Sequence, residues 1–246
     1  MYDYETGYSE VGNPDLERAR IESYDGRWEL FPDARELLAL SVFHKSFDKP
    51  IENVVLPGSG NYILSPRNGL YGRLTGAEVE VRVGLDRPWS ALASFLPLVE
   101  APSVLEHVAV SANYSRVTSK VGVQVSLDDA GNPILREGPL GGQSSYALNV
   151  GLFFASRSLD GSILLSTFGE RLAQVGAGQY PNSLPDVYEH PMKSLDLTLG
   201  KSISKDMRLK FSAENLLDDA VEFRQASEIT RRYLPGRKMS LAVSFQ

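Results

Sequence analysis

Residues 192–246 decide the fold, because apolar and polar side chains alternate there through two matched segments and again at the chain end. The first part reads MKSLDLTLGKSISKDMRLKFSAE, in which Leu195, Leu197 and Leu199 alternate with polar residues. A period of two gives a β-strand one apolar face and one polar face. A polar turn at 204–206 leads into residues 207–214, which alternate in the same way, so the stretch predicts a β-hairpin.

The same alternation recurs upstream and predicts about nine strands in total. We expect them near residues 21–30, 36–45, 77–85, 108–115, 146–154, 162–171, 194–200, 207–214 and 238–245. The sequence leaves the facing of the second strand ambiguous. Residues 1–20 are polar and turn-rich and predict an outer loop, so strands and loops occupy 21–246. Residues 47–71 hold so many prolines and glycines that we expect no regular structure there.

The connections between these strands differ systematically in length. They are short after the first, fifth and seventh strands, medium after the third, and long after the second, fourth, sixth and eighth. Alternate connections of an up-and-down sheet lie at the same end, so all the long ones share one end. This is the asymmetry of outer-membrane barrels, which have short periplasmic turns and long outer loops. An antiparallel barrel needs an even number of strands in order to close. A chain with about nine strands is therefore predicted to be part of a larger barrel.

Composition restricts the class of protein. The 246 residues are 42% hydrophobic, with 25 basic and 31 acidic side chains and a net charge of -6, which argues against a nucleic-acid partner. There is no cysteine, so disulfide and thiolate chemistry are excluded. The first residues do not resemble a secretory signal, and no apolar run reaches the roughly 18 residues of a membrane helix. Barrel strands leave no such signal.

No residue set predicts catalysis or metal binding. The three histidines, at 44, 107 and 190, lack the spacing of metal ligands, and Asp128, Asp129 and Asn132 lack the further acidic residue of a calcium loop. No nucleophile elbow or catalytic triad is visible. We therefore predict no catalytic, cofactor-binding or metal-ligating residues and no enzyme activity. Trp28, Trp89 and the tyrosines are candidates for aromatic girdles at a membrane boundary.

Several segments resemble TonB-dependent receptors of the Gram-negative outer membrane. Residues 213–218 (AENLLD) resemble a segment of the penultimate barrel strand, and 235–237 (PGR) resemble the entry to the last strand. Residues 12–16 (GNPDL), 74–80 (LTGAEVE) and 110–115 (VSANYS) resemble earlier segments in the same order. Two positions depart from the pattern: Leu217 replaces an aromatic residue, and Gln246 follows the terminal aromatic.

The resemblance implies a barrel of about twenty-two strands with a folded plug in its lumen, located in the outer membrane. Residues 1–246 would then be a partial barrel domain from the C-terminal part of a receptor, without the plug. The implied partners are outer-membrane lipid, the plug and through it the TonB motor, the barrel-assembly machinery at the last strand, and a small-molecule ligand. The implied role is nutrient uptake of the siderophore, cobalamin or glycan class, and we expect no energised transport by this chain without the plug.

The barrel hypothesis assigns a direction to each alternating side chain. We expect lipid to contact Ala77, Val79, Val81, Leu195, Leu197, Leu199, Leu209, Phe211, Leu241, Val243 and Phe245. We expect the lumen to contain Glu78, Glu80, Arg82, Arg208, Lys210 and Glu214. Residues 57–68, 131–142 and 176–190 would face outside and meet the ligand.

The main alternative is a soluble or surface-exposed β-sandwich that acts as a binding module. In a sandwich the three leucines from 195 to 199 would contact a second sheet rather than lipid. A small stand-alone barrel or enzyme is a third reading, but it requires an even strand count and a polar catalytic cluster.

Overall fold

The computed structural model describes residues 2–3, 8–57, 62–86, 103–127, 130, 133–176 and 185–245. Their strands, in chain order, are β1 (Tyr2–Asp3), β2 (Tyr8–Glu10), β3 (Arg20–Leu30), β4 (Leu37–Asp48), β5 (Ile51–Pro57), β6 (Tyr62–Asn68), β7 (Tyr71–Gly84), β8 (Val108–Leu127), β9 (Pro133–Gly138), β10 (Tyr146–Ala155), β11 (Leu159–Phe168), β12 (Arg171–Gln174), β13 (Val187–Glu189), β14 (Lys193–Ser202), β15 (Met207–Glu214), β16 (Val221–Gln225), β17 (Glu228–Tyr233) and β18 (Lys238–Phe245). A 3-10 helix at Ser103–His107 precedes β8. Within these ranges no helix is long and apolar enough to cross a membrane.

The principal sheet contains the strands that the sequence predicts. Its hydrogen-bonded path runs β3-β4-β7-β8-β10-β11-β14-β15-β18, and β9 pairs with β8 beside that path. The nine predicted strands are confirmed, and every pairing along the path is antiparallel. β7 and β8 are longer than predicted, at 14 and 20 residues. The sheet does not close, because β3 and β18 are its two edges within the described residues.

The connections agree with the predicted asymmetry with one exception, the segment 85–107 between β7 and β8, which was predicted to be of medium length and is as long as the long loops. Short turns at 31–36, 156–158 and 203–206 lie at one end of the principal sheet, together with the segment that joins β7 to β8. The longer segments after β4, β8, β11 and β15 lie at the other end, which we call the long-loop end. The strands therefore go up and down in sequence order.

Register places the apolar side chains of neighbouring strands on one face. Trp28 lies opposite Leu40, Leu40 opposite Val79, and Val79 opposite Tyr114. The second strand, whose facing the sequence left open, therefore directs its even-numbered residues 38–42 to this apolar face. At the other edge Phe211 lies between Leu199 and Leu241. Many of these side chains are exposed, up to 75% at Phe245, so the apolar face is continuous and uncovered.

A hairpin at the long-loop end packs onto the opposite, polar face. β5 and β6 pair antiparallel, and β2 joins β6 in parallel. Val54 of the hairpin is buried with Leu74, Val121, Val123 and Leu140 in the main core cluster. The expectation of no regular structure at 47–71 is therefore wrong. Likewise residues 1–20 are not entirely loop, since β1 and β2 lie within them.

A separate four-stranded sheet, in the order β12-β13-β16-β17, lies beyond the long-loop end of the C-terminal strands of the principal sheet. β12 follows β11 and β13 precedes β14, while β16 and β17 lie between β15 and β18. The His190 amide donates to the Glu222 carbonyl between the two paired segments, at 2.9 Å. We call this the outer sheet. Its strands come from the two connections that the sequence indicated as long loops between the last four strands.

Gly76 allows β7 to support a large ring on the polar face. Its cross-strand partner Phe43 lies directly above it, and a Cβ at Gly76 would stand 2.4 Å from the Phe43 ring and 2.8 Å from the Arg116 carbonyl oxygen. The carbonyl belongs to the adjacent backbone and has no freedom to move away. Phe43 in turn packs against the core cluster beneath the hairpin.

We expect Gly76→Ala to destabilise the protein by about 1–3 kcal/mol, the usual cost of overpacking. The matched control is Gly26→Ala on β3, where an added Cβ makes only an ordinary 3.6 Å contact with Val42. Urea unfolding of the refolded protein in detergent micelles measures both changes. Equal midpoints for the two variants would show that Phe43 does not need the space at Gly76.

Candidate functional site

The polar face of the principal sheet carries a network of charged side chains. Arg27 bonds Glu80 at 2.8 Å and Glu29 at 2.6 Å, which joins β3 to β7 across β4. Toward the other edge Arg208 pairs with Asp160. Register places all six predicted lumen residues on this face, opposite the apolar side chains. The face therefore combines paired charges with an open, polar surface, which fits contact with water or with a polar protein surface.

Glu52 of β5 is the most unusual carboxylate near the long-loop end. It is only 8% exposed and accepts a hydrogen bond from the Gly141 amide at 3.1 Å. Burial raises the pKa of Glu52, and the Gly141 hydrogen bond and the charge of Arg136 oppose this shift only in part. Two cavities of about 420 and 320 Å³ share Glu52, Gly141 and Gly142 in their walls. A buried carboxylate thus lies where the hairpin meets the segment between β9 and β10.

An ion pair connects β9 to the segment that precedes β13. Arg136 forms an ion pair with Asp186, and both side chains are largely buried. The other Asp186 oxygen accepts from the Gly176 amide at 2.8 Å. The Nη1 atom of Arg136 is buried and has no hydrogen-bond partner among the described residues. The pair fixes the path of the chain on both sides of the segment 177–184.

The outer sheet contains a cavity of about 370 Å³ with cationic and aromatic walls. Arg171 bonds both carboxylate oxygens of Glu189, at 2.8 and 2.9 Å. The Arg231 guanidinium stands 3.8 Å from the centroid of the Phe223 ring. Such walls offer stacking surfaces and charge-assisted hydrogen bonds, which suit a planar or anionic small molecule.

Parts of the three segments predicted to meet the ligand lie close together at this end. The segment 57–68 belongs to the β5–β6 hairpin, 131–142 contains β9 and Gly141, and 176–190 contains Asp186 and β13. The Glu52 and Arg136 contacts connect all three. Residues 58–61, 131–132 and 177–184 lie outside the described residues, as do Trp89, Asp128 and Asp129. Sequence reasoning missed Glu52 and Arg136, since nothing in a breaker-rich segment indicated a buried charge.

The three histidines remain apart in the structure. His44 bonds Thr75 at 2.7 Å, His107 contacts the Phe154 ring edge, and His190 lies 3.2 Å from Glu170. The described residues contain no group of three side chains suited to a metal ion.

The segment 213–218 holds the entry of the last strand. Asn215 and Asp218 both adopt a positive φ, 54° and 51°. The Asn215 side chain donates to the Gly236 carbonyl at 2.9 Å, and an Asp218 oxygen accepts from the Gly236 amide at 3.1 Å. Arg237 donates to the Leu216 carbonyl at 2.9 Å. The residues of the two C-terminal resemblance segments thus bind each other where β18 begins.

Comparison with known proteins identifies the family. A family model described as TonB dependent receptor-like, beta-barrel matches residues 1–216. The chain belongs to the TonB-dependent receptor family. Among curated proteins no relative matches.

Solved structures with the same fold include several receptors of this family. The ferric-catecholate import receptor Fiu of E. coli K12 is 13% identical, with a TM-score of 0.56 over 95% of this chain and 29% of its own. The copper transporter OprC is 11% identical, with a TM-score of 0.61 over 94% of this chain and 32% of its own. The FrpB iron transporter of Neisseria meningitidis is 12% identical, with a TM-score of 0.57 over 97% and 32%. The chain therefore spans about a third of the length of these structures.

We expect Glu52→Gln to stabilise the protein at neutral pH. Because its pKa is raised in the folded state, Glu52 costs stability as pH rises above the ordinary pKa of 4.5, and the cost is absent at lower pH. Glutamine has nearly the same volume as glutamate, and its side-chain oxygen can still accept the hydrogen bond from the Gly141 amide. Urea midpoints at pH 4 and pH 8 measure the effect, with the exposed Glu228→Gln as the control. A gain at pH 4 equal to the gain at pH 8 would contradict the burial argument.

We expect Asn215→Ala to destabilise the protein by about 2 kcal/mol, from a strained positive φ and a lost hydrogen bond. Asn215→Gly accommodates the positive φ but also loses the hydrogen bond, so it should cost less. Unfolding midpoints in detergent measure the series. If Asn215→Gly costs as much as Asn215→Ala, relief of backbone strain has no measurable effect at this position.

Proposed function

We propose that this chain forms part of the barrel of an outer-membrane receptor that imports a scarce nutrient with energy from the TonB motor. The family match over residues 1–216 is the observation that carries the proposal. The two-faced antiparallel sheet supports it, because a sheet with one uncovered apolar face is suited to lipid. In this proposal the long-loop end lies outside the cell, and lipid contacts the predicted apolar side chains.

The charged polar face would line the lumen and contact the plug of the complete receptor. Its charges are arranged in pairs, such as Arg27 with Glu80 and Lys238 with Glu214 at 3.3 Å. Paired charges keep a surface hydrophilic without strong attraction to a single partner, which suits a plug that must be displaced during transport. The TonB motor would act through that plug, and the barrel-assembly machinery would act on β18.

The ligand would enter at the long-loop end and belong to the siderophore, cobalamin or glycan class. Two observations favour a metal chelate first. The neighbours with the same fold are named for ferric chelates, iron and copper. The cavity of the outer sheet combines the Arg171–Glu189 pair with the stacked Arg231 and Phe223, which suits planar anionic groups.

The β-sandwich alternative requires a second sheet over the apolar face. Within the described residues no second sheet lies on Leu195, Leu197 and Leu199, and Leu199 is 44% exposed. The family match does not favour a sandwich either. We therefore retain the receptor barrel as the proposed function.

We expect single spin labels to separate the lipid and lumen faces. The chain has no cysteine, so Leu197→Cys and Thr198→Cys each give one labelling site. In a lipid bilayer the label at 197 should collide mainly with oxygen, and the label at 198 with a water-soluble nickel chelate, because adjacent strand residues face opposite sides. Electron paramagnetic resonance power saturation measures both. The same preference at both positions would reject the membrane barrel.

Uptake assays test the transport role. Cells that produce the complete receptor containing this chain should accumulate one labelled substrate from a panel of ferric chelates, cobalamin and oligosaccharides, and a protonophore should abolish the uptake. Cells that produce only the 246-residue chain should show no energised uptake, because these residues span only about a third of the length of the related structures. Energy-dependent uptake by the 246-residue chain would contradict this prediction.

A further inference from the structure

Three cations lie on the apolar face of the principal sheet at the long-loop end of its apolar band. Arg116 follows Tyr114 by two residues on β8, and the Tyr114 ring stacks with that of Tyr146 at 6.3 Å. Lys120 lies four residues further along β8, and Arg73 of β7 is its direct cross-strand partner. We call Arg73, Arg116 and Lys120 the rim cations.

The register between β7 and β8 places the rim cations on the same face as the apolar band. It is unbroken from Tyr71 opposite Gly122 to Gly84 opposite Ala109. The Tyr71 ring confirms this placement, because it passes over Gly122 and its hydroxyl bonds Glu137 on β9. Side chains at alternate positions of β8 therefore change from apolar to cationic on one face, as expected where a membrane core gives way to headgroups.

The charges of this cluster are not balanced within the protein. Lys120 pairs with Glu137 at 2.6 Å, but Arg73 and Arg116 form no ion pair with the described residues. Both arginines are exposed. Like charges directly opposite each other in a sheet are unfavourable, so Arg73 beside Lys120 has an electrostatic cost. An anion at this rim would remove that cost.

We propose that the rim cations bind the headgroup of a bisphosphorylated glycolipid in the outer leaflet of the membrane. This inference rests on the proposed membrane location of the barrel. Arg116 and the Arg73–Lys120 pair stand at two levels, about 13 Å apart along the strand at 3.3 Å per residue. One phosphate at each level uses all three cations, whereas a lipid with a single phosphate uses one level. Arginine suits phosphate because its guanidinium donates two parallel hydrogen bonds.

The stacked tyrosines define the lower boundary of this site. Tyr114 precedes Arg116 by two residues on β8, and Tyr146 is the direct cross-strand partner of Arg116 on β10. Tyrosine rings favour the boundary between acyl chains and headgroups. A sugar ring that carries the phosphates would rest above them. The site is therefore separate from the lumen and from the cavity of the outer sheet.

Binding to purified protein in detergent tests the proposal. The probes are bisphosphorylated lipid A, its monophosphorylated form and phosphatidylglycerol, each measured by native mass spectrometry. Arg73→Gln combined with Arg116→Gln should weaken binding of bisphosphorylated lipid A about tenfold, the loss expected for two exposed charge-assisted contacts. The control Lys210→Gln removes an exposed cation from the polar face and should change binding less than about twofold.

Two results would overturn the site. One is equal binding of bisphosphorylated lipid A by the double variant and the unmodified protein. The other is phosphatidylglycerol or the monophosphorylated form binding the unmodified protein as tightly as the bisphosphorylated form, a comparison that needs no variant to fold. The transport role is judged separately, since the labelled-substrate uptake assay does not depend on these lipids.

Discussion

In the membrane location that we propose, every backbone amide and carbonyl in the membrane core must have a hydrogen-bond partner within the protein, and this requirement is the constraint on which the fold depends. An antiparallel sheet meets it through its ladders, and the path from β3 to β18 forms such ladders without interruption. The side-chain period of two then allows each strand to present apolar groups to one side and charges to the other. A shift of one residue in the pairing of β7 would direct Glu78 to the apolar face, and the same shift of β15 would direct Lys210 there. The alternating sequence therefore fixes the register of these strands.

At the long-loop end the face that is polar elsewhere in the principal sheet carries several apolar side chains. Leu74, Val121 and Val123 alternate onto that face and would be exposed without a cover. The β5–β6 hairpin supplies the cover through Val54, and the Glu52 and Arg136 contacts then fix the neighbouring segments. The principal sheet, the hairpin and the outer sheet therefore meet around a small shared core. Segments whose sequences look irregular therefore form an ordered surface with charged side chains at the long-loop end.

The sequence allowed the principal sheet to be predicted because its strands are long and one-sided. Leu195, Leu197 and Leu199 alternate with polar residues through a segment with no proline. A strand with one face in an apolar environment and the other in a polar one requires this alternation. The outer sheet was not predicted, since β12 and β13 are four and three residues long and too short to show a period. The hairpin was missed because Pro57 and Pro66 suggested a loop. Pro66 lies beyond the last β2 pairing, at Glu10 and Leu64, so β6 is an edge there, where a sheet tolerates proline. Burial of Glu52 depends on contacts from Gly141, far along the chain, which no local pattern records.

Strand direction also restricts how the two open edges are completed. β3 and β18 are the first and ninth strands of an alternating path, so they run in the same direction. A direct pairing between them, or between β18 of one copy and β3 of another in a common barrel, would be parallel. Antiparallel pairing at both edges requires an odd number of further strands between them, which gives an even total. Even totals are the rule in bacterial outer-membrane barrels, so the directions of these two edge strands agree with the family that the sequence matches.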